Sequence, residues 1–226
     1  MVSLTTFVAI APPSLVFLIL SAILFLRWRN KRDIQTLYFS FAFLFMGLCF
    51  GMWVLRTIFY PPKVDLSEVD ILIRLGYIFG ILGTSFIGLT AIMLIKPQLI
   101  KKRMKLIFFF APAISLGIVM TFIADPIPAL ITGVVDFVWG PPVAILLFAV
   151  GLYYFIFPNY LFIWWLWYNR DHHLYNKILI IEIGLIIFCA GTIIEATKVG
   201  MESFGIIVRW MTAAGGLIMA YRYIKK

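Results

Sequence analysis

Charge is scarce in this chain: only 13% of its 226 residues are Asp, Glu, Lys or Arg, and the acids number ten. A soluble domain keeps about a quarter of its residues charged, so a free-standing soluble fold is excluded. Asn and Gln together number six, a scarcity that points toward a heat-adapted source. Cysteine is limited to Cys49 and Cys189, both inside apolar runs, where a small packing residue is the plain reading and no redox compartment follows. There is no Asp-rich metal motif, no histidine cluster and no Ser-His arrangement inside the runs. Neither catalytic residues nor metal ligands are therefore expected, and the chain does not read as an enzyme.

What fills the sequence instead is hydrocarbon: 63% of residues are hydrophobic, 22 are Phe, and the mean hydropathy is +1.04. A membrane span needs about 20 apolar residues, and such runs occupy residues 5–26, 36–59, 71–95, 106–124, 142–168, 178–198 and 204–223. They are too long and too uniformly apolar for barrel strands, which alternate over about 10 residues. Spanning helices satisfy their own backbone bonds. The fold class expected is an all-α, seven-transmembrane helix bundle forming one domain over residues 1–226, a multi-pass protein of the cell membrane. The first run lacks a basic amino-terminal region and is longer than a signal-peptide core, so it reads as a retained span.

Basic residues near span ends set orientation. Fourteen of the nineteen fall on alternate connections: Arg27, Arg29, Lys31 and Arg32; Lys96, Lys101, Lys102, Arg103 and Lys105; Arg170 and Lys177; Arg222, Lys225 and Lys226. The opposite connections carry Asp65, Glu68, Asp70, Asp125, Asp136 and Glu202. The amino terminus is thus expected outside and the carboxyl terminus in the cytoplasm. The net charge of +9 reflects this topology and attraction to anionic lipid headgroups, and does not imply nucleic acid. In "FIWWLWYNR", Trp164, Trp165, Trp167 and Tyr168 read as an interfacial aromatic belt.

An internal repeat is suggested by three correspondences. Runs one and five open with Pro12-Pro13 and Pro141-Pro142, runs two and six share "CFGMWVLRT" and "CAGTIIEAT", and Arg74 and Arg209 stand near the outer ends of runs three and seven. Two parallel three-helix units joined by a fourth span would place a binding site between the repeats.

Five bases escape the cytoplasmic pattern: Arg56, Lys63, Arg74, Lys198 and Arg209. Ionisable groups in a span usually face a bundle interior and mark a working site. Arg209 lies about 8 Å inside its run at 1.5 Å per residue, and its expected partner is Glu195, one span back. Glu195 and Lys198 share a helical face by their i, i+3 spacing, and Thr192 extends it one turn deeper. Two readings stand for Glu195, Arg209, Arg74, Arg56, Thr192 and Lys198. One is an outward polar pocket for an anionic or zwitterionic small ligand; the other is a set of interfacial side chains snorkelling to headgroups. Further in, Tyr154, Asn159 and Tyr160 flank Pro158 in "YYFIFPNYLF", where a proline-opened helix can line a cavity or simply pack. Glu182 lies about one turn inside run six, after His172 and His173, a loop pair that reads as solvated rather than as a relay or metal site.

Seven spans with an external amino terminus resemble the rhodopsin and receptor layout, but the last run, "GIIVRWMTAAGGLIMAYRY", has no mid-span Lys for covalent retinal, so no cofactor is expected. "MLIKPQ" and "LIMAYRY" carry no G-protein-coupled receptor motif. The chain is more similar to the seven-helix sensor region of prokaryotic histidine kinases, on "RWRNKRD", "GMWVL", "KKRMKLIFFFAPAISLGI" and "TFIADPI". That resemblance implies a ligand-sensing bundle. With no kinase before Lys226, it implies signalling through a separate cytoplasmic protein. The alternative is a small-solute transporter of three-plus-one-plus-three type; Pro97-Gln98 falls after run three, outside the position such carriers use. The topology has a direct check: cysteines introduced in residues 97–105 and 125–140 should react with impermeant reagent from opposite sides of the membrane, and reaction from one side refutes it.

Overall fold

The computed structural model describes residues 4–59, 66–95, 111–113, 115–117, 119, 126–131, 134–197 and 201–224. Among them run seven helices: α1 (Leu4–Lys31), α2 (Ile34–Phe59), α3 (Leu66–Ile95), the helical residues 111–113 and 115–117 as α4, α5 (Pro141–Tyr168), α6 (Tyr175–Thr197) and α7 (Met201–Ile224). Between α4 and α5 stand two strands, β1 (Pro126–Ile131) and β2 (Val134–Trp139). Five helices are long and apolar enough to cross a bilayer, and Gly205–Tyr221 of α7 forms a shorter apolar helix. The protein is an integral membrane protein built as a helical bundle.

The helices follow the apolar runs with small shifts at their ends. α1 continues through Arg27, Arg29 and Lys31, so these bases occupy its last turns rather than a loop. Cations there complement the carbonyl end of the helix dipole. The chain turns at Arg32, whose φ of 56° is left-handed. Asp33 then caps α2, accepting from Gln35 N at 3.2 Å and from the Thr36 hydroxyl at 2.7 Å. Pro141 and Pro142 open α5, as their fixed φ favours. Pro12 and Pro13 instead lie inside α1, which begins at Leu4. Packed neighbours sustain an interrupted backbone ladder in a membrane helix; here the Ser14 hydroxyl donates to Gly47 O of α2 at 2.9 Å. α5 likewise runs on through Pro158.

Residues 125–141, read from sequence as a connection, contain an antiparallel hairpin in register from Pro126↔Trp139 to Ile131↔Val134. Val, Ile, Phe and Trp favour strands. Two strands alone are marginal in water, and these lean on α3, α5 and α7.

The helices close a ring: α1 packs on α2 and α7, α2 on α3, α3 on α5, α5 on α6, and α6 on α7. At the basic end the Arg27 guanidinium donates to Ile224 O of α7 at 2.8 Å. Arg170 stands 5.0 Å from the Trp167 ring and Arg32 stands 5.4 Å from the Trp28 ring. Trp164, Trp167 and Tyr168 are exposed there, as an interfacial belt requires. Inside the ring, Phe17 of α1 lies 5.7 Å from Phe43, 5.9 Å from Phe50 and 6.2 Å from Phe188.

Lipid tails are as apolar as leucine, so helix association in a membrane relies on close contact rather than on water exclusion. The α6–α7 seam achieves it with glycine. A Cβ on Gly215 would lie 2.6 Å from Gly184 O and nearer still to Phe188 N, both backbone atoms that cannot swing aside. Gly215→Ala should therefore lower stability by about 1–3 kcal/mol through overpacking. Gly51→Ala, whose Cβ would sit 3.5 Å from Ser14 Oγ, should not. Thermal unfolding of both variants in detergent tests the seam.

Candidate functional site

At the end of the bundle formed by the carboxyl ends of α2 and α6 and the amino ends of α3, α5 and α7, an ion pair is buried. Glu195 sits near the end of α6 and Arg209 two turns into α7, and the packing of these two helices brings them level. Arg209 Nε donates to Glu195 Oε2 at 3.1 Å, and Nη2 donates to Oε1 at 3.1 Å. This is the two-pronged geometry that a planar guanidinium offers a carboxylate. The pair is sequestered, with Glu195 5% and Arg209 8% exposed. The Arg209 guanidinium also lies 6.0 Å from the centroid of the Trp53 ring of α2, within cation–π range. Trp53 in turn packs on Phe50 at 5.4 Å and on Tyr77 of α3 at 5.9 Å.

Beneath the pair the ring holds a partly open pocket of about 80 Å³, several times what one water-sized group needs. Every helix from α2 to α7 contributes to it, including Trp53, Tyr77, Leu116, Tyr154, Glu195 and Thr212. Cys49 and Cys189, both buried thiols, line it from opposite sides. The wall is mostly hydrocarbon and aromatic ring. Its threonines have committed their protons: Thr84 donates to Gly80 O at 2.9 Å, Thr192 to Phe188 O at 2.8 Å and Thr212 to Val208 O at 3.1 Å. What these hydroxyls still offer the cavity is lone pairs, beside the Glu195 carboxylate.

The structure divides the residues singled out from the sequence. Glu195, Thr192 and Tyr154 line the cavity. Arg209 stands behind Glu195, Arg56 is buried one turn beyond Trp53, and Arg74 is half-buried on α3; all three lie outside the lining. The charge facing the cavity is thus a carboxylate, because the Arg209 fork is occupied by Glu195 and stacked near Trp53. Asn159 is buried deeper, with its amide donating to Phe155 O. Tyr160 is 63% exposed and faces away from the ring: it follows Pro158 and Asn159 onto the outer side of α5, where it cannot line the cavity. Lys63 and Lys198 lie outside the described residues, as do the side chains of Asp70, Asp136 and Glu202. His172 and His173 stack on each other at 4.3 Å in the exposed α5–α6 turn, and Trp165 abuts His172 at 5.3 Å.

Sequence reasoning did not single out Trp53, Tyr77, Leu116 and Thr212 as wall residues. Only the α6 face carried a signal, since Cys189, Thr192 and Glu195 recur at three-residue steps. No protein-family model, curated protein or solved structure matches this chain.

The ion pair has a measurable signature. Removing one partner of a buried pair leaves an uncompensated charge costing about 3–5 kcal/mol. Arg209→Met should therefore destabilise the bundle more than Arg209→Met combined with Glu195→Gln. Thermal unfolding of both singles and the double yields the coupling, and strictly additive effects would contradict the observed contact.

Proposed function

We propose that this chain is a receptor-like membrane protein of the cell membrane, in which a ligand entering from the outside occupies the cavity beneath Glu195 and Arg209 and a separate cytoplasmic protein reads the outcome. The observation that carries the reading is the cavity itself: six helices converge on one pocket with a carboxylate in its wall. A ligand that fills it must differ in affinity between two arrangements of those helices to shift their populations. The outward direction rests on the charge bias, which puts the acidic connections at this end.

The wall also supports a ligand class. Its rings and aliphatic chains suit a predominantly apolar molecule. Its spare lone pairs suit one that carries an O–H or N–H, and the neutralised Glu195 asks for no compensating charge. This differs from the anionic or zwitterionic ligand expected from the arginines, which are not in the wall. Toward the basic end the interior is filled by Phe39, Phe43, Phe162 and Phe188, each at most 2% exposed. A packed floor supports a receptor, which need change only its inner surface, over a carrier, which needs a path through it.

Gly151 offers a specific test, since it lines the cavity and a Cβ there would make only ordinary contact with Ile193 at 3.5 Å. Small apolar alcohols and amines screened against the purified protein should raise its unfolding midpoint, the stabilisation being about 2.7 kcal/mol for a compound at 100 times its Kd. Gly151→Leu should fill the volume and abolish the shift while the protein stays folded. Stabilisation that survives Gly151→Leu places the ligand elsewhere. Solute-specific counterflow in reconstituted vesicles would establish the carrier instead.

A further inference from the structure

A second carboxylate stands in the bundle, and the ion pair does not explain it. Glu182 lies on α6 thirteen residues before Glu195, about 20 Å along the helix at 1.5 Å per residue, on the side of the membrane away from the cavity. It is 3% exposed, and neither Oε1 nor Oε2 has a hydrogen-bond partner among the described residues. Two more buried oxygens share this condition, Asn159 Oδ1 of α5 and the Tyr223 hydroxyl of α7. The close approaches of Gly191 to Thr212 and of Gly184 to Met219 set a register that brings Tyr223 opposite the turn carrying Glu182. Cys189, a buried thiol, lies two turns further along α6.

Both Glu182 oxygens can only accept while the group is ionised. A buried charge without donor or counter-ion is the costliest arrangement a bilayer interior offers. A proton supplies the missing donor and removes the charge in one step. A metal ion fits less well: among the described residues no three His, Cys, Asp or Glu side chains converge, and Glu182 is not in the wall of the cavity.

We propose that Glu182 is an intramembrane proton-binding site, loaded in the closed arrangement described here and emptied to water at the basic end when the inner halves of α5, α6 and α7 part. Only its O–H bond forms or breaks, and the proton comes from and returns to solvent. Among the described residues the other ionisable groups around it are few. Cys189 lies on its own helix and Tyr223 on α7; Lys177 stands 5.0 Å over the Tyr223 ring, and Asp33 acts on Tyr223 from the α1–α2 turn. On the facing part of α5, Asn159 is polar but does not titrate, and His172 and His173 are exposed in the turn before α6. The assignment does not rest on the ligand proposed for the cavity.

Difference infrared spectroscopy of the full chain in lipid vesicles, titrated with pH, reads the proton directly. A carboxylic-acid C=O stretch is expected near neutral pH, lost on alkaline titration, absent from Glu182→Gln, displaced in Glu182→Asp and unchanged in Glu195→Gln. Stability should agree. If the packed state holds a proton that the unfolded chain releases, unfolding temperature falls as pH rises, and Glu182→Gln should remove that slope. If Glu182→Gln does not fold, the displaced band of Glu182→Asp carries the assignment. The proposal is overturned by a titrating band that persists unchanged in both Glu182 variants, by the absence of any such band in the wild-type protein, or by a band abolished by sodium at constant pH.

Discussion

A guanidinium gripped by a carboxylate inside a ring of hydrocarbon is the contact on which one end of this bundle depends. Neither charge is tolerable there alone, since desolvation costs several kcal/mol per ion. Each therefore dictates where the other must be. Glu195 and Arg209 consequently fix the rotation of α6 and α7 about their axes, with Thr192 and Thr212 turned toward the cavity and the glycines turned toward each other. Trp53 extends the constraint to α2, because its ring faces the Arg209 guanidinium, and Tyr77 passes it to α3. A pair that adds little net stability over a well-packed apolar substitute can still specify orientation, which is the best-attested use of such pairs.

The helices were legible from the sequence because the bilayer imposes a length and a composition on anything that crosses it. The same simplicity hid the rest. Hydrophobicity that is nearly uniform around a helix leaves no apolar stripe to say which face turns inward, so Tyr154 and Tyr160 on α5 looked equivalent although one is buried and the other faces outward. The Glu195–Arg209 contact was readable because charge is rare here and each had few candidate partners. The cavity wall was not readable, because Trp53, Tyr77 and Leu116 are the residue types found everywhere in this chain. The hairpin between α4 and α5 was missed for a related reason: in a sequence dominated by long apolar runs, Val, Ile and Phe over six residues do not stand out as strand.

Arg56 and Arg74 show the limit of counting charges. Both lie near the same end of the bundle as Arg209, and proximity in sequence depth made all three look like pocket residues. The carboxylate that lines the cavity holds Arg209. A long side chain can bury its stem and direct its head elsewhere, so depth along a helix does not determine which space a guanidinium serves.

The two carboxylates of α6 make the sharper comparison. Glu182, Cys189, Thr192 and Glu195 follow one another along the inward side of a single helix, yet one end of that row is satisfied by a fixed cation and the other has no partner among the described residues. A helix pinned near its carboxyl end by an ion pair and seamed to α7 by glycine along its length has little freedom to rotate. It retains the freedom to shift or tilt together with α7. Such a movement would alter the cavity wall at Thr192 and Thr212 and the surroundings of Glu182 in the same step. In the reading proposed above, α6 is therefore the element through which occupancy at one end of the bundle and protonation at the other would bear on each other. By reciprocity a ligand that favours the packed arrangement must also tighten the hold on the proton.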